Sequence, residues 1–239
     1  AVCIGGAEAL AIGLDEPAMT TAYWWGCLHR IDTDLYLHTH ARHRPMLHRA
    51  MSAEVALFDP HLALALADER WADVRELQEI LSGLGPSEAP ASPRAKVGEH
   101  PSTAQCPDWA AGRIDRFDDH TEPMMHASCL CENLDALNVR CWRGQVRSVL
   151  PQLEELRRQV IGRAKAEGYI AQSVPATDLD FGPLTERLLA DAPPRTSRSE
   201  LGILARDLRS ARNRIAHLEP ISATSFDRIL ESAIFLGLD

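Results

Sequence analysis

The stretch ELGILARDLRSARNRIAHL, residues 200–218, decides the reading of the fold. At about 100° of rotation per residue, Leu201, Leu204, Leu208, Ala211, Ile215 and Leu218 gather into one arc of roughly 100°. That arc is the core face of an amphipathic helix, with Ser199 as its N-cap and Pro220 ending it. Arg206, Arg209, Arg212, Asn213 and His217 spread over about 140° on the adjacent side. Asn213 lies four residues before His217 and four after Arg209, so these three share a row. A row of arginines with an imidazole at its end suits phosphodiester chemistry. Arginine offers a planar fork to phosphate oxygens, and histidine moves protons near neutral pH.

Working outward, the helical period continues on both sides. Leu134, Leu137, Cys141, Val149, Leu153, Leu156 and Val160 predict one long helix, or two stacked ones, reaching Arg163. Pro151 predicts a kink or break near Leu150. A last helix begins near Ser225 and is expected to bury Phe226, Ile229, Leu230, Ala233 and Ile234. Earlier, Asp59 as N-cap and Pro60 as first helical residue open a segment running to Leu84. Its stripe is Leu62, Leu66, Val74, Leu77 and Leu81, with Trp71 alongside. Residues 85–108 hold five of the chain's fifteen prolines and read as a linker. The expected architecture is all-α. A mostly helical region, 1–108, ends in that Pro-rich linker, and a helical bundle occupies 109–239.

Composition bounds the function. Of 239 residues, 25 are Lys or Arg and 34 are Asp or Glu, a formal charge of −9. Nucleic-acid binding by overall charge is thereby excluded, whereas a local basic face is not. No apolar run approaches the roughly 20 residues of a membrane span, so no membrane partner is expected. The opening residues lack a basic region and carry Glu8, a poor secretion signal. The six scattered cysteines are therefore expected as reduced thiols in a cytoplasm.

Arg212-Asn213-Arg214-Ile215-Ala216-His217 resembles the signature of the HEPN superfamily (higher eukaryotes and prokaryotes nucleotide-binding): an arginine, usually a polar residue next, and a histidine four to six residues later. The following Leu218-Glu219-Pro220-Ile221 is similar to what succeeds the motif in many bacterial members. The segment 141–157, with Trp142, Gln145, Pro151, Glu154 and Glu155, resembles the family's long early helix. The resemblance covers about 129–239.

It implies a four- or five-helix bundle that dimerises and sets two Arg/His motifs across a shared cleft. Many such domains are metal-independent endoribonucleases of toxin–antitoxin, CRISPR-associated and phage-defence systems. On that basis Arg212 and His217 are the expected catalytic residues, with Asn213 as the motif's polar member. The RNA 2′-hydroxyl would attack the adjacent phosphate, giving a 2′,3′-cyclic phosphate and a 5′-hydroxyl without metal or cofactor. Arg206 and Arg209 would grip flanking phosphates. Glu154 or Glu155 would face the cleft and orient Arg212 or His217, or else both are solvated surface acids. Expected partners are RNA, a second copy of the chain and a regulatory or antitoxin protein. A non-catalytic HEPN-like module for dimerisation or partner docking is the alternative.

Two other clusters compete. His38, His40 and His43, with His29, His48, Asp32 and Asp34 near in sequence, could gather a metal, yet their spacing fits no zinc signature and Arg42, Arg44 and Arg49 would repel a cation. Cys129 and Cys131, with Cys106, Cys141, His120 and His126, are too tightly spaced for a zinc knuckle and read as buried thiols. Trp24 and Trp25 either stack a base or pack into a core.

Overall fold

The computed structural model describes residues 25–69, 71–84, 90, 98–190 and 192–238. It is all-α apart from one two-stranded ladder. Two compact units divide the chain, one up to Cys141 and one from Trp142. That division lies further along than the Pro-rich 85–108 stretch, much of which is outside the described residues, so residues 109–141 belong with the first unit.

In the first unit, α1 (Arg30–His40), α2 (Met46–Ala56), α3 (Pro60–Asp68) and α4 (Val74–Ser82) precede the short α5 (Cys106–Ala110). The expected single segment from Pro60 to Leu84 is two helices, because each half brings its own cap. Asp59 Oδ1 accepts the Leu62 N–H at 2.8 Å. Asp73 Oδ1 accepts from Arg75 and Glu76, while Glu76 reaches back to the Ala72 N–H at 2.7 Å. Leu62, Leu66, Trp71, Leu77 and Leu81 are buried as the stripe requires. The polar stretch after α5 forms β1 (Ile114–Asp115) and β2 (Met124–Met125), antiparallel, with Ile114 opposite Met125. Phe117, between them, packs with Leu57 and Phe58.

The second unit is built on the long helix α6 (Leu134–Ala166), which carries the division near its start. The break expected at Pro151 does not occur. A proline inside a helix costs about 3 kcal/mol, but Val149 and Leu153 flank it with no exposed surface, and Val160 extends the same buried stripe. Burial of three such side chains at about 1.5–3 kcal/mol each outweighs the penalty. Then come α7 (Phe181–Leu189), α8 (Ser197–Ala216) and α9 (Ala223–Phe235). Leu184 and Leu188 of α7 and Leu201, Leu204, Ala205 and Leu208 of α8 are fully buried. Gly202 permits the close approach, since a Cβ there would lie 2.5 Å from Leu189 Cδ2 and 3.3 Å from Leu188 Cβ. In α9, Phe226, Ile229 and Ala233 are buried, whereas Ile234, expected inside, is 69% exposed.

Candidate functional site

The decisive helix starts earlier than Ser199. Thr196 is the N-cap, and Ser199 at the third position completes a reciprocal capping box with it. Its apolar arc from Leu201 to Ile215 is buried as expected, but Leu218 is not part of it. The helix ends at Ala216, with His217 as C-cap. Leu218 turns to φ +62° and is 59% exposed. Glu219 N–H then donates to the Arg214 carbonyl at 2.9 Å and Leu218 N–H to the Ile215 carbonyl at 3.2 Å. These two bonds define a Schellman end, here with leucine where glycine is usual.

Two side chains of α6 clamp this end from outside the helix. The Trp142 Nε1–H donates to the Ile215 carbonyl at 2.6 Å. The buried Gln145 amide bonds Ile221 reciprocally, donating to its carbonyl at 2.7 Å and accepting its N–H at 2.8 Å. Arg214 adds a bond from Nη2 to the Pro220 carbonyl at 3.0 Å. His217 therefore sits on a short segment held on both sides, at Ile215 and at Ile221. The sequence names Trp142 and Gln145 without disclosing this role, because a pair separated by 76 positions leaves no local signal.

On that scaffold Arg212, Asn213 and His217 are all exposed. Among the described residues, none of the three side chains has a hydrogen-bond or ion-pair partner. Arg206 lies 3.7 Å from Asp207, and Arg209 lies 4.0 Å from Glu186. Pairs this exposed contribute at most about 1 kcal/mol, so either arginine is released to a phosphate at little cost.

Glu154 and Glu155 take no part in the row. Glu154 meets Arg157 through both oxygens, at 3.0 and 2.5 Å, and Arg157 continues to the Leu179 carbonyl at 2.6 Å. The Arg157 hydrogen bond holds the Glu154 carboxyl below the usual range. Glu155 lies 3.7 Å from Arg158. Among the described residues neither carboxylate is paired with Arg212 or His217; at three- and four-residue spacing the neighbouring arginines of α6 are in closer reach.

The rival clusters resolve differently. Among the described residues, no group of three or more His, Cys, Asp or Glu is placed to hold a metal ion. His38, His40 and His43 are exposed, and His40 stacks on Tyr36 with ring centroids 4.5 Å apart. His48 is turned to backbone carbonyls, with Nε2 at 3.0 Å from Leu66 and 2.8 Å from Glu69. Cys141 is buried, and burial pushes its thiol up to about 12. Burial also raises the half-buried Cys129 and Cys131. Trp25 is buried edge-on to Trp109 with its Nε1–H on the Gly98 carbonyl, so it serves a core; Trp24 lies outside the described residues.

One constellation has no sequence signal. His126 Nε2 lies 3.2 Å from Asp59 Oδ2, and its Nδ1 lies 2.6 Å from Ser128 Oγ. The Ser128 N–H points at Nδ1 from 3.3 Å, which assigns the ring proton to Nε2, facing Asp59. Burial pushes the Asp59 carboxyl up, but the His126 and Leu62 hydrogen bonds outweigh it and hold the group below its ordinary value. Aspartate, histidine and serine are the members of a hydrolytic triad. Here Ser128 is only 3% exposed, and the imidazole caps the 3-10 turn Ala127–Leu130. The arrangement ties α3 to that turn.

No helix among the described residues is long and apolar enough to cross a membrane. Comparison with protein-family models, curated proteins and solved structures finds no match for this chain.

Proposed function

We propose that the second unit is a metal-independent endoribonuclease of HEPN type, active as a homodimer in a bacterial defence or toxin system. The observation that carries the reading is the C-terminal end of α8. Its Arg212, Asn213 and His217 side chains are exposed and unengaged, on a segment clamped by Trp142 and Gln145. The backbone that carries them is held, and the side chains are free to engage a ligand. His217 moves the proton of the attacking 2′-hydroxyl, and Arg212 neutralises charge growing on the phosphoryl oxygens. Arg212 and His217 are about 140° apart around the helix axis, so a second copy facing the first supplies the missing half of each site. Arg206 and Arg209 contact flanking phosphates. RNA cleavage in EDTA tests the reading. Wild-type protein is expected to release 2′,3′-cyclic phosphate ends, and His217→Ala is expected to lower their yield by at least roughly 10²-fold. Full activity in that variant moves catalysis off this row, and no cleavage by wild-type protein leaves the non-catalytic docking module, with α8 as interface.

A further inference from the structure

Away from the arginine row, the start of α8 and the end of α9 enclose a cleft of about 230 Å³ lined by Glu200, Ile203, Glu231, Ser232, Phe235 and Leu236. Its apolar part is not closed over by the chain: Phe235 is 81% exposed and Ile203 36%. An aromatic ring left in water beside a concave apolar surface marks an interaction site more often than an isolated surface leucine does.

Charge identifies the occupant. Several acidic residues of this unit have arginine neighbours. Asp207 lies 3.7 Å from Arg206 and 3.6 Å from Arg228, and Glu219 lies 3.8 Å from Arg214. The two carboxylates of the cleft, Glu200 and Glu231, have no hydrogen-bond or ion-pair partner among the described residues. We propose that this cleft docks a basic amphipathic helix of a protein partner. An apolar anchor would sit on Ile203 and Phe235, and Lys or Arg side chains would lie against Glu200 and Glu231. A second copy fits less well. A two-fold contact through Phe235 brings the same carboxylates face to face. The arginine row of α8 is a poorer fit head-to-tail, since its apolar arc from Leu201 to Ile215 is buried. The inference is independent of the ribonuclease reading, because none of these residues belongs to the arginine row.

The probe is a fluorescein-labelled synthetic helical peptide of leucine and lysine, with leucine on one face. Its counterpart carries glutamate in place of lysine. Anisotropy titration of the full chain is expected to show saturable binding of the lysine peptide and none of the glutamate peptide. Glu200→Lys with Glu231→Lys should weaken binding by roughly tenfold or more, as should Phe235→Ser. Glu79→Lys with Glu132→Lys, which changes net charge equally on the other unit, should alter it by less than about twofold. Equal loss in both charge-reversed pairs, or equal affinity for the glutamate peptide, overturns the proposal. So does sedimentation in which Phe235→Ser turns a dimer into monomer, since the occupant is then a second copy.

Discussion

The two units use polar side chains in opposite ways. In the first, charged groups are drawn inward and engaged. Arg30 pairs with Glu54, which is 1% exposed, and its guanidinium lies over the Phe117 ring at 5.6 Å. The buried Arg140 donates to the Val55 carbonyl at 2.8 Å and the Met125 carbonyl at 2.5 Å. In the second, the buried Gln145 holds backbone, and Arg212 and His217 of α8 are outside and, among the described residues, unpaired. A charge buried with partners specifies packing but cannot exchange those partners for a ligand. An exposed, preorganised charge can. On the ribonuclease reading the first set serves structure and the second chemistry, and the contrast can be broken at either end.

The largest expected effect is in the first unit. Arg30→Ala deprives a buried carboxylate of an ion-pair partner, and breaking such pairs costs about 3 kcal/mol or more. Urea unfolding followed by tryptophan fluorescence should show the midpoint moved accordingly. An unchanged midpoint would mean that Glu54 is satisfied without Arg30.

Next comes His217→Ala. On the ribonuclease reading, loss of this proton-transfer group should lower RNA cleavage by at least roughly 10²-fold, equivalent to about 2.7 kcal/mol of barrier. Stability should change by about 0.5 kcal/mol or less, since the side chain is exposed. Arg212→Lys keeps the charge and loses the planar fork, so cleavage should fall substantially there too. His126→Ala sharpens the contrast. Its buried bonds to Asp59 and Ser128 make it a stability variant, with cleavage by the folded protein unchanged.

Gln145→Ala joins the two behaviours. It removes both bonds to Ile221, which is 3% exposed, leaving a buried N–H and C=O without partners. The expected loss is about 2 kcal/mol in urea unfolding. On the ribonuclease reading, cleavage by the folded protein also falls, because the segment carrying His217 loses one of its two anchors. Destabilisation with full activity would show that the clamp serves the fold alone.

Asp115 gives the comparison a pH axis. Burial raises its carboxyl to about 6, against the hydrogen bonds its Oδ1 accepts from the Gly26 and Arg116 N–H groups. A folded pKa above the unfolded value of about 4 means that folding takes up a proton between these limits. Stability from this group therefore rises as pH falls from 7 toward 5. Asp59 and Glu154, both held low, behave oppositely: their contribution is present at neutral pH and disappears in stronger acid. Asp115→Asn keeps the Oδ1 acceptor. It should stabilise the protein at pH 7 by on the order of 1 kcal/mol and remove this group's share of the difference between pH 5 and pH 7.

What could be read in the sequence follows the range over which each signal acts. The core face of α8 was legible because periodicity is local, and so was the helical class. The two helices in 60–84 were encoded locally as well, by Asp73 and Glu76, a capping pair that the continuous apolar stripe masks. No break forms at Pro151 because its cost is local and the burial that offsets it is tertiary. Ile234 fits the stripe of α9 but falls where it is left 69% exposed. The Arg212–His217 row was visible as spacing. Its support by Trp142 and Gln145, and the Asp59–His126–Ser128 tie, join positions too far apart in the chain for spacing to show.

Leu218 carries the smallest prediction and the closest test of how the site is held. A left-handed φ costs a residue with a Cβ about 1 kcal/mol relative to glycine, and Leu218 recovers little by burial at 59% exposed. Glycine also loses more backbone entropy on folding, which offsets part of that gain. Leu218→Gly should therefore stabilise the second unit by about 0.5 kcal/mol in urea unfolding. The Schellman bonds from Leu218 and Glu219 to Ile215 and Arg214 are made by backbone, so they persist in the variant and His217 stays at the C-cap. Cleavage should be unchanged on the ribonuclease reading. A stabilised protein with weaker cleavage would show that the exposed leucine side chain itself touches the RNA or the second copy, and would move Leu218 from the helix end into the site.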